Sequence, residues 1–140
     1  MTNPVINENG TQVWYKNGKR HREDGPAVII PNGTQEWWLN GYLHRENGPA
    51  IIFATGTQCW FKNGKQHREN GPAVINRSGS QQWWINGKIH REDGPAIIDF
   101  DGSQYWYLNG KSYDFNRYIK LRFPDDCKEK MMFLLKWKDK

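Results

Sequence analysis

The chain has 140 residues, of which 36% are hydrophobic and 14% aromatic, and it carries a formal net charge of +5. This length suits a single domain, and the eight tryptophans supply apolar area that disordered chains lack. The sequence has no basic and apolar leader and no membrane-length apolar run, which argues against a secreted or membrane protein and predicts a soluble cytoplasmic one. Cys59 and Cys127 lie far apart in sequence and are expected to be reduced thiols.

A unit of 23 residues recurs along most of the chain. Each unit contains a tryptophan and, three residues later, an Asn-Gly pair. The first four units continue with His-Arg-Glu, Asp or Asn, and Gly-Pro-Ala. The repeated residues include Trp14, Trp37, Trp60, Trp83 and Trp106, and His21, His44, His67 and His90. A fixed period of this length is typical of stacked repeats, in which each unit buries its apolar face against its neighbours.

The first unit indicates how each repeat is expected to fold. Residues 11 to 16 are rich in β-formers and predict a strand. The pair Asn17-Gly18 that follows predicts a hairpin, because a type I′ turn needs positive φ at both central residues. A two-residue loop there predicts these cross-strand pairs: Lys16 with Lys19, Tyr15 with Arg20, Trp14 with His21, and Val13 with Arg22.

The second turn of the unit, at Asn32-Gly33, is interpreted in the same way. A two-residue loop there places Val28 opposite Trp37 and Ala27 opposite Trp38. The chain is expected to bend just before, at Asp24-Gly25-Pro26, because proline cannot donate to a strand ladder. Alternation of side chains then predicts two faces, one with Gln12, Trp14, His21 and Val28 and the other with Val13, Tyr15, Arg22, Ala27 and Ile29.

Residues 112–140 depart from the repeat and predict helices. Asp114 is expected to cap a first helix, with Phe115, Tyr118 and Ile119 on one face. Pro124-Asp125-Asp126 is expected to start a second helix, with Cys127, Met131, Leu134 and Leu135 at helical spacing. Because an open sheet edge promotes aggregation, we interpret this segment as a cap packed on the last repeat. The predicted fold is all-β, an elongated single-sheet antiparallel meander of about five hairpin repeats in residues 1–111 with a short C-terminal helical cap in 112–140.

The segment Tyr15-Lys16-Asn17-Gly18-Lys19-Arg20-His21 and its equivalents in the next three units resemble the core of MORN repeats, which share this period. The chain departs from the family where Arg22 stands in place of the glycine after the histidine, and where Gln12 and Val13 replace a Tyr-x-Gly. It is similar to divergent variants in bacterial antitoxin-like and viral proteins. The resemblance implies a sheet of hairpins used for protein assembly, with phospholipid binding also attributed to the family. It implies no catalytic residue and a location in the cytoplasm of a microbe or a virus-infected cell.

Four histidines at one repeat position raise the question of a metal site. Equivalent positions two strands apart lie about 10 Å from one another, whereas zinc ligands converge within about 2.1 Å of one ion. We therefore predict no metal and no cofactor, and a packing role in which His21 lies on Trp14 and bonds backbone or Glu23. No Ser, Cys or Lys nucleophile stands beside a unique base, which predicts a protein that is not an enzyme.

The charge pattern does not favour a nucleic acid partner. The net charge alternates in sign between successive units, so the sequence predicts no continuous basic stripe of the kind that phosphate backbones attract. The repeated arginines Arg22, Arg45, Arg68 and Arg91 are each followed by a glutamate and then by Asp or Asn, which predicts local pairing rather than a phosphate ladder.

The positions that vary between units are the candidates for partner recognition. They are Tyr15, Arg20, Glu36, Trp38, Leu43, Phe61, Gln66, Gln82, Trp84, Ile89 and Tyr105. Such variation is also typical of tolerant solvent positions. The expected partner is another protein, with the chain acting as a scaffold, adaptor or inhibitor of a host protein. The alternatives are a polyanion, either nucleic acid or acidic phospholipid, and self-association through an exposed sheet edge.

Overall fold

A computed structural model of the protein describes residues 3–140. Within these residues the chain forms nineteen short strands followed by two helices. The strands are β1 (Val5–Ile6), β2 (Gln12–Val13), β3 (Tyr15–Lys16), β4 (Lys19–Arg20), β5 (Val28–Ile29), β6 (Gln35–Glu36), β7 (Trp38–Leu39), β8 (Tyr42–Leu43), β9 (Ile51–Ile52), β10 (Gln58–Cys59), β11 (Phe61–Lys62), β12 (Lys65–Gln66), β13 (Val74–Ile75), β14 (Gln81–Gln82), β15 (Trp84–Ile85), β16 (Lys88–Ile89), β17 (Ile97–Ile98), β18 (Gln104–Leu108) and β19 (Lys111–Tyr113). The helices are α1 (Phe115–Arg122) and α2 (Lys128–Trp137).

Eleven of these strands form one antiparallel sheet, the main sheet, in the order β1-β2-β5-β6-β9-β10-β13-β14-β17-β18-β19. The other strands form separate two-stranded hairpins, β3-β4, β7-β8, β11-β12 and β15-β16. Together with the outer part of β18-β19, residues 107–112, these are called the tip hairpins. At about 4.8 Å per strand, the main sheet extends on the order of 50 Å. The predicted all-β antiparallel meander with C-terminal helices is therefore confirmed.

The Asn-Gly pairs form the turns of the tip hairpins, as predicted. Asn17-Gly18 has φ values of 52° and 75°, which are the left-handed values that a type I′ turn requires. Tyr15 pairs with Arg20, and the His21 N–H donates to the Trp14 carbonyl at 3.0 Å. The predicted register of this hairpin is confirmed from Lys16 opposite Lys19 as far as Trp14 opposite His21.

The second turn of each unit has three loop residues rather than the predicted two. The N–H of Ile30 donates to the Thr34 carbonyl at 2.9 Å, and the N–H of Gly33 donates to the Ile30 carbonyl at 2.9 Å. The loop is therefore residues 31–33, and it ends on a glycine with φ of 99°. This is the three-residue hairpin connection that closes with a left-handed glycine.

The extra loop residue shifts the predicted pairing by one. Val28 lies opposite Val13 and Glu36, not opposite Trp37. Because a slip of one residue exchanges the faces of a strand, the predicted groupings of Gln12 with Val28 and of Val13 with Ile29 are both wrong. Isoleucines instead alternate with the repeated glutamines across one face of the main sheet, in the row Gln12, Ile29, Gln35, Ile52, Gln58, Ile75, Gln81, Ile98 and Gln104.

The two predicted pairings nearest the bend are also wrong. Ala27 donates its N–H to the Glu36 carbonyl at 2.8 Å instead of pairing with Trp38. Arg22 donates its N–H to the Trp38 carbonyl at 3.1 Å instead of pairing with Val13. Both hydrogen bonds reach the following unit, so the bend joins one repeat to the next.

The two helices pack on the last unit through an aromatic cluster around Trp106. Helix α1 begins after Asp114, whose side chain accepts a hydrogen bond from the Arg117 N–H at 2.8 Å, as predicted. The cluster contains Trp106, Leu108, Tyr113, Phe115, Tyr118, Ile119, Phe123, Phe133, Leu134 and Trp137. The Trp106 ring centroid lies 4.8 Å from that of Tyr118. Aromatic packing therefore covers the apolar face of the last hairpin.

The buried face of α2 differs from the predicted one. Met131 and Leu135 are 66% and 74% exposed, whereas Phe133 is only 8% exposed. The ring of Phe133 stacks on Tyr118 with 5.9 Å between centroids. The helix turns its aromatic residues inward because a ring buries a large apolar area and gains from contact with other rings.

Phe133 and Leu135 provide a matched pair for testing this packing. We expect Phe133→Ala to lower the free energy of unfolding by about 3 kcal/mol, because it leaves a cavity among aromatic rings. Leu135→Ala is expected to change it by less than about 0.5 kcal/mol, because the side chain is exposed. Urea unfolding followed by tryptophan fluorescence measures both. Similar losses in the two variants would contradict this orientation of α2.

Tyr118 gives a second test, with a defined pH dependence. Its fully buried hydroxyl donates to the Arg91 carbonyl, and burial raises its pKa to about 12. We expect Tyr118→Phe to lower the free energy of unfolding by about 1 kcal/mol, since this hydrogen bond is lost. Tyr42→Phe is the control, because Tyr42 is 57% exposed.

The folded pKa of Tyr118 lies above the value of about 10 for an unfolded tyrosine. The neutral hydroxyl therefore stabilises the fold fully below pH 10, and this contribution is lost as the pH rises toward about 12. We expect the difference in unfolding free energy between wild type and Tyr118→Phe to shrink across that window. A difference that stays constant from about pH 9 to about pH 11.5 would contradict a raised pKa of about 12 for folded Tyr118.

Candidate functional site

Each bend is built around an arginine that stacks on the tryptophan of its own unit. The Cζ of Arg22 lies 3.9 Å from the ring centroid of Trp14, and the next three units have distances of 3.8 to 4.0 Å. The same guanidinium donates from Nη1 to the Pro26 carbonyl at 3.1 Å. The predicted local pairing occurs with Asp24, at 3.0 Å from Nε. A planar guanidinium can stack and donate at once, which explains arginine rather than lysine at this position.

Each histidine of the repeat links two units through its two ring nitrogens. His21 Nδ1 accepts the N–H of Asn40 in the next unit at 2.9 Å, and Nε2 lies 3.2 Å from Glu23. This arrangement requires the tautomer with the hydrogen on Nε2. His44, His67 and His90 repeat the Nδ1 contact at 2.9 to 3.0 Å. The predicted contact of a ring nitrogen with backbone or Glu23 is confirmed, since His21 makes both.

Burial and hydrogen bonding shift the pKa of several groups in the array. Burial lowers the pKa of the Arg45 and Arg68 guanidinium groups, which stay charged because arginine is such a weak acid. The hydrogen bond from His44 holds the pKa of the Glu46 carboxyl below its ordinary value. Burial raises the pKa of the Cys59 thiol, which keeps it protonated and unreactive at neutral pH. Across residues 3–140, no three side chains of His, Cys, Asp or Glu are grouped as a metal site would require.

The second aromatic residue of every unit lies in one line on one face of the tip hairpins. This aromatic row consists of Tyr15, Trp38, Phe61, Trp84 and Tyr107. Each member lies opposite a variable residue of its own hairpin, in turn Arg20, Leu43, Gln66, Ile89 and Ser112. Neighbouring hairpins are joined by backbone bonds such as Gly41 N–H to the Arg20 carbonyl at 2.9 Å. The Arg20 guanidinium lies 4.9 Å over the Trp38 ring, so contact along the row passes between units.

Three further candidates lie on the main sheet beside the aromatic row. Trp38 Nε1 donates to the Glu36 carboxylate at 2.8 Å, and Trp84 Nε1 donates to the Gln82 side chain at 3.0 Å. Tyr105 holds the same repeat position and is 46% exposed. The predicted partner-binding residues therefore come together on one face, and their role in binding stays a prediction.

Burial distinguishes the candidate binding residues on this face from core residues at the same repeat positions. Val13 and Cys59 occupy the same repeat position as Glu36 but are only 2% and 8% exposed, so they belong to the core. Tyr15 is 42% exposed, while the remaining aromatic residues of the row are half-buried. The surface available to a partner thus consists of ring edges and the variable residues between them.

Tyr107 and Ser112 complete the aromatic row but are absent from the sequence candidates. They form a cross-strand pair in β18-β19, equivalent to Tyr15 and Arg20. The signal for them is present in the sequence, since they occupy the same repeat positions.

Comparison with known proteins does not identify a family for this chain. No protein-family model matches it, and no curated protein matches it. The resemblance to MORN repeats therefore depends on the repeated segment alone and stays a prediction. No helix within residues 3–140 is both long enough and apolar enough to cross a membrane.

The stacked arginine of the bend can be tested by substitution. Arg68→Gln removes the stack on Trp60, at 4.0 Å, and the hydrogen bond to the Pro72 carbonyl, at 3.0 Å. We expect the free energy of unfolding to fall by about 1–3 kcal/mol, because a charged hydrogen bond and a cation–π contact are both lost. Arg77→Gln removes the same charge from an exposed loop and is expected to change it by less than about 0.5 kcal/mol. Equal effects in urea unfolding would mean that net charge, not the stack, is responsible.

Proposed function

We propose that this protein is a non-catalytic repeat protein that binds another protein through the aromatic row and its variable neighbours. The observation that supports this function is the line of five aromatic side chains on a ribbon whose hairpins are joined by backbone hydrogen bonds. Aromatic residues are prominent among the residues that carry binding energy at protein interfaces. A rigid ribbon presents them with little loss of conformational entropy, which favours binding.

The changing chemistry along the row supports selective recognition of one partner. A cation at Arg20 is followed by an apolar side chain at Leu43, an amide at Gln66 and an apolar side chain at Ile89. Successive units are about 10 Å apart, so five units span roughly 40 Å. A surface of that length is sufficient for an interface of standard size, about 800 Å² on each partner.

The resemblance to MORN repeats supports the same class of function. Those repeats serve protein assembly, which fits a scaffold or adaptor. The antitoxin-like and viral variants of the pattern support the more specific proposal of an inhibitor that acts on a host protein. In each case the activity consists of binding, with no chemical step assigned to the chain.

Capture from cell lysate, with matched variants, tests this function. The variants are Arg20→Glu and Leu43→Asp in the aromatic row, and the controls are Arg117→Glu and Leu121→Asp, which make the same changes at exposed positions of α1. We expect the row variants to reduce the captured protein at least about tenfold, equivalent to about 1.4 kcal/mol. The controls are expected to retain it, with or without nuclease.

Circular dichroism of each variant separates lost binding from lost folding. A protein partner that both sets of variants retain equally would contradict binding through the aromatic row. Capture that disappears with nuclease would show that the partner is nucleic acid, and would contradict the proposed function itself.

A further inference from the structure

The face of the tip hairpins opposite the aromatic row carries a row of lysines. This lysine row consists of Lys19, Lys65, Lys88 and Lys111, and Tyr42 holds the same place in the second unit. Each member precedes by one residue the variable partner of the aromatic row, and successive residues of a strand point to opposite faces. The lysines therefore form a surface that the aromatic row does not include.

The stems of Lys19, Lys65 and Lys88 lie beside the glycine of the following turn. A Cβ built on Gly41 would lie 3.5 Å from Cδ of Lys19, and one built on Gly87 would lie 3.7 Å from Cβ of Lys65. The left-handed turn requires glycine for its own conformation, and its bare backbone also gives the aliphatic stem a flat surface. Equivalent positions follow one another at intervals of about 10 Å, the width of two strands, and Tyr42 takes the place of one lysine in this series.

The tip hairpins contain basic residues and no acidic ones. Residues 15–20, 38–43, 61–66, 84–89 and 107–112 hold six lysines, one arginine and neither Asp nor Glu. Lys16, on the same face, is partly neutralised by Glu23, with 3.8 Å between Nζ and the carboxylate. Among residues 3–140, the four members of the lysine row form no salt bridge. The four lysines are therefore exposed and available to an anionic ligand, beside glutamates such as Glu23 and Glu46.

Apolar side chains lie beside the lysines on the same face. Leu39 is opposite Tyr42 and Ile85 is opposite Lys88, and both are half-buried. Leu108, opposite Lys111, packs instead within the aromatic cluster of the helices. A phosphate backbone offers no apolar groups to these side chains, whereas an amphipathic helix can place apolar residues and carboxylates on one face.

We propose that the lysine row binds an acidic amphipathic helix of a partner protein. Residues seven apart in a helix rise about 10.5 Å, which matches the interval of about 10 Å between units. Carboxylates at every seventh position would then meet successive lysines, while apolar residues one turn away contact Leu39 and Ile85. This ligand goes beyond the function proposed above, because it occupies the other face of the ribbon and needs none of the aromatic row.

Fluorescence anisotropy with a synthetic helix tests the proposal. The probe is a labelled peptide of about four heptads with Glu at every seventh position and Leu one turn away. The variant combines Lys19→Gln, Lys65→Gln, Lys88→Gln and Lys111→Gln. The control removes as many charges from the helical segment by combining Lys120→Gln, Lys128→Gln, Lys136→Gln and Lys138→Gln, all exposed. We expect the lysine-row variant to weaken binding about tenfold or more and the control about twofold or less, since several aligned ion pairs are lost only in the first.

Three comparisons identify the outcomes that would overturn the proposal. Equal weakening by the two variants would mean that net charge alone is responsible. Equal binding of a scrambled peptide of the same composition would mean that the seven-residue spacing is irrelevant. Tighter binding of a thymidine oligonucleotide or of phosphatidylserine vesicles, lost in the lysine-row variant, would reassign the surface to phosphate ligands. Because all substitutions spare the aromatic row, none of these results bears on the function proposed for it.

Discussion

The stacking of the repeats depends on the hydrogen bonds that the Asn-Gly turn of one unit makes with the preceding unit. At the first junction, the Asn40 N–H donates to His21 Nδ1 and the Gly41 N–H donates to the Arg20 carbonyl, both at 2.9 Å. A type I′ turn directs these N–H groups away from its own hairpin. They would otherwise donate to water, and here they donate to acceptors in the neighbouring unit. The same junction recurs along the array, and equivalent residues therefore follow one another in rows.

This junction divides the repeat into positions that hold the fold and positions that are free to change. Arg45, for example, stacks on Trp37 at 3.8 Å and donates to the Pro49 carbonyl at 3.1 Å, so its replacement would loosen a bend. Residues such as Leu43 and Gln66 only line a face of the ribbon. Changes at surface positions of this kind usually have small effects on stability. Selection for different partners can act there without loss of the fold, which is why the proposed functions are assigned to the two faces of the tip hairpins.

The parts of this structure that depend on neighbouring residues were predictable, and those that depend on distant ones were not. Asn17-Gly18 determines its turn locally, and the hairpin register follows from it. The second turn contains the same dipeptide at Asn32-Gly33, yet the loop has three residues. Two other units have Thr55-Gly56 and Ser78-Gly79 at this place, and neither dipeptide is typical of a type I′ turn. In α2, helical spacing is compatible with an inward Met131 or an inward Phe133, and only the position of Trp106 in another part of the chain selects Phe133.

The distribution of charge on the surface also depends on how the units stack. Summed by unit, the net charge alternates in sign, but units 23 residues apart in sequence place equivalent side chains about 10 Å apart in space. That distance is slightly more than the Debye length of about 8 Å at physiological ionic strength, so exposed lysines in one row repel each other only weakly. The fold therefore tolerates a lysine in nearly every unit at little cost in stability. Because each ammonium group remains separate from the next, a ligand must match them one at a time, and the width of two β-strands becomes the spacing that a partner has to reproduce.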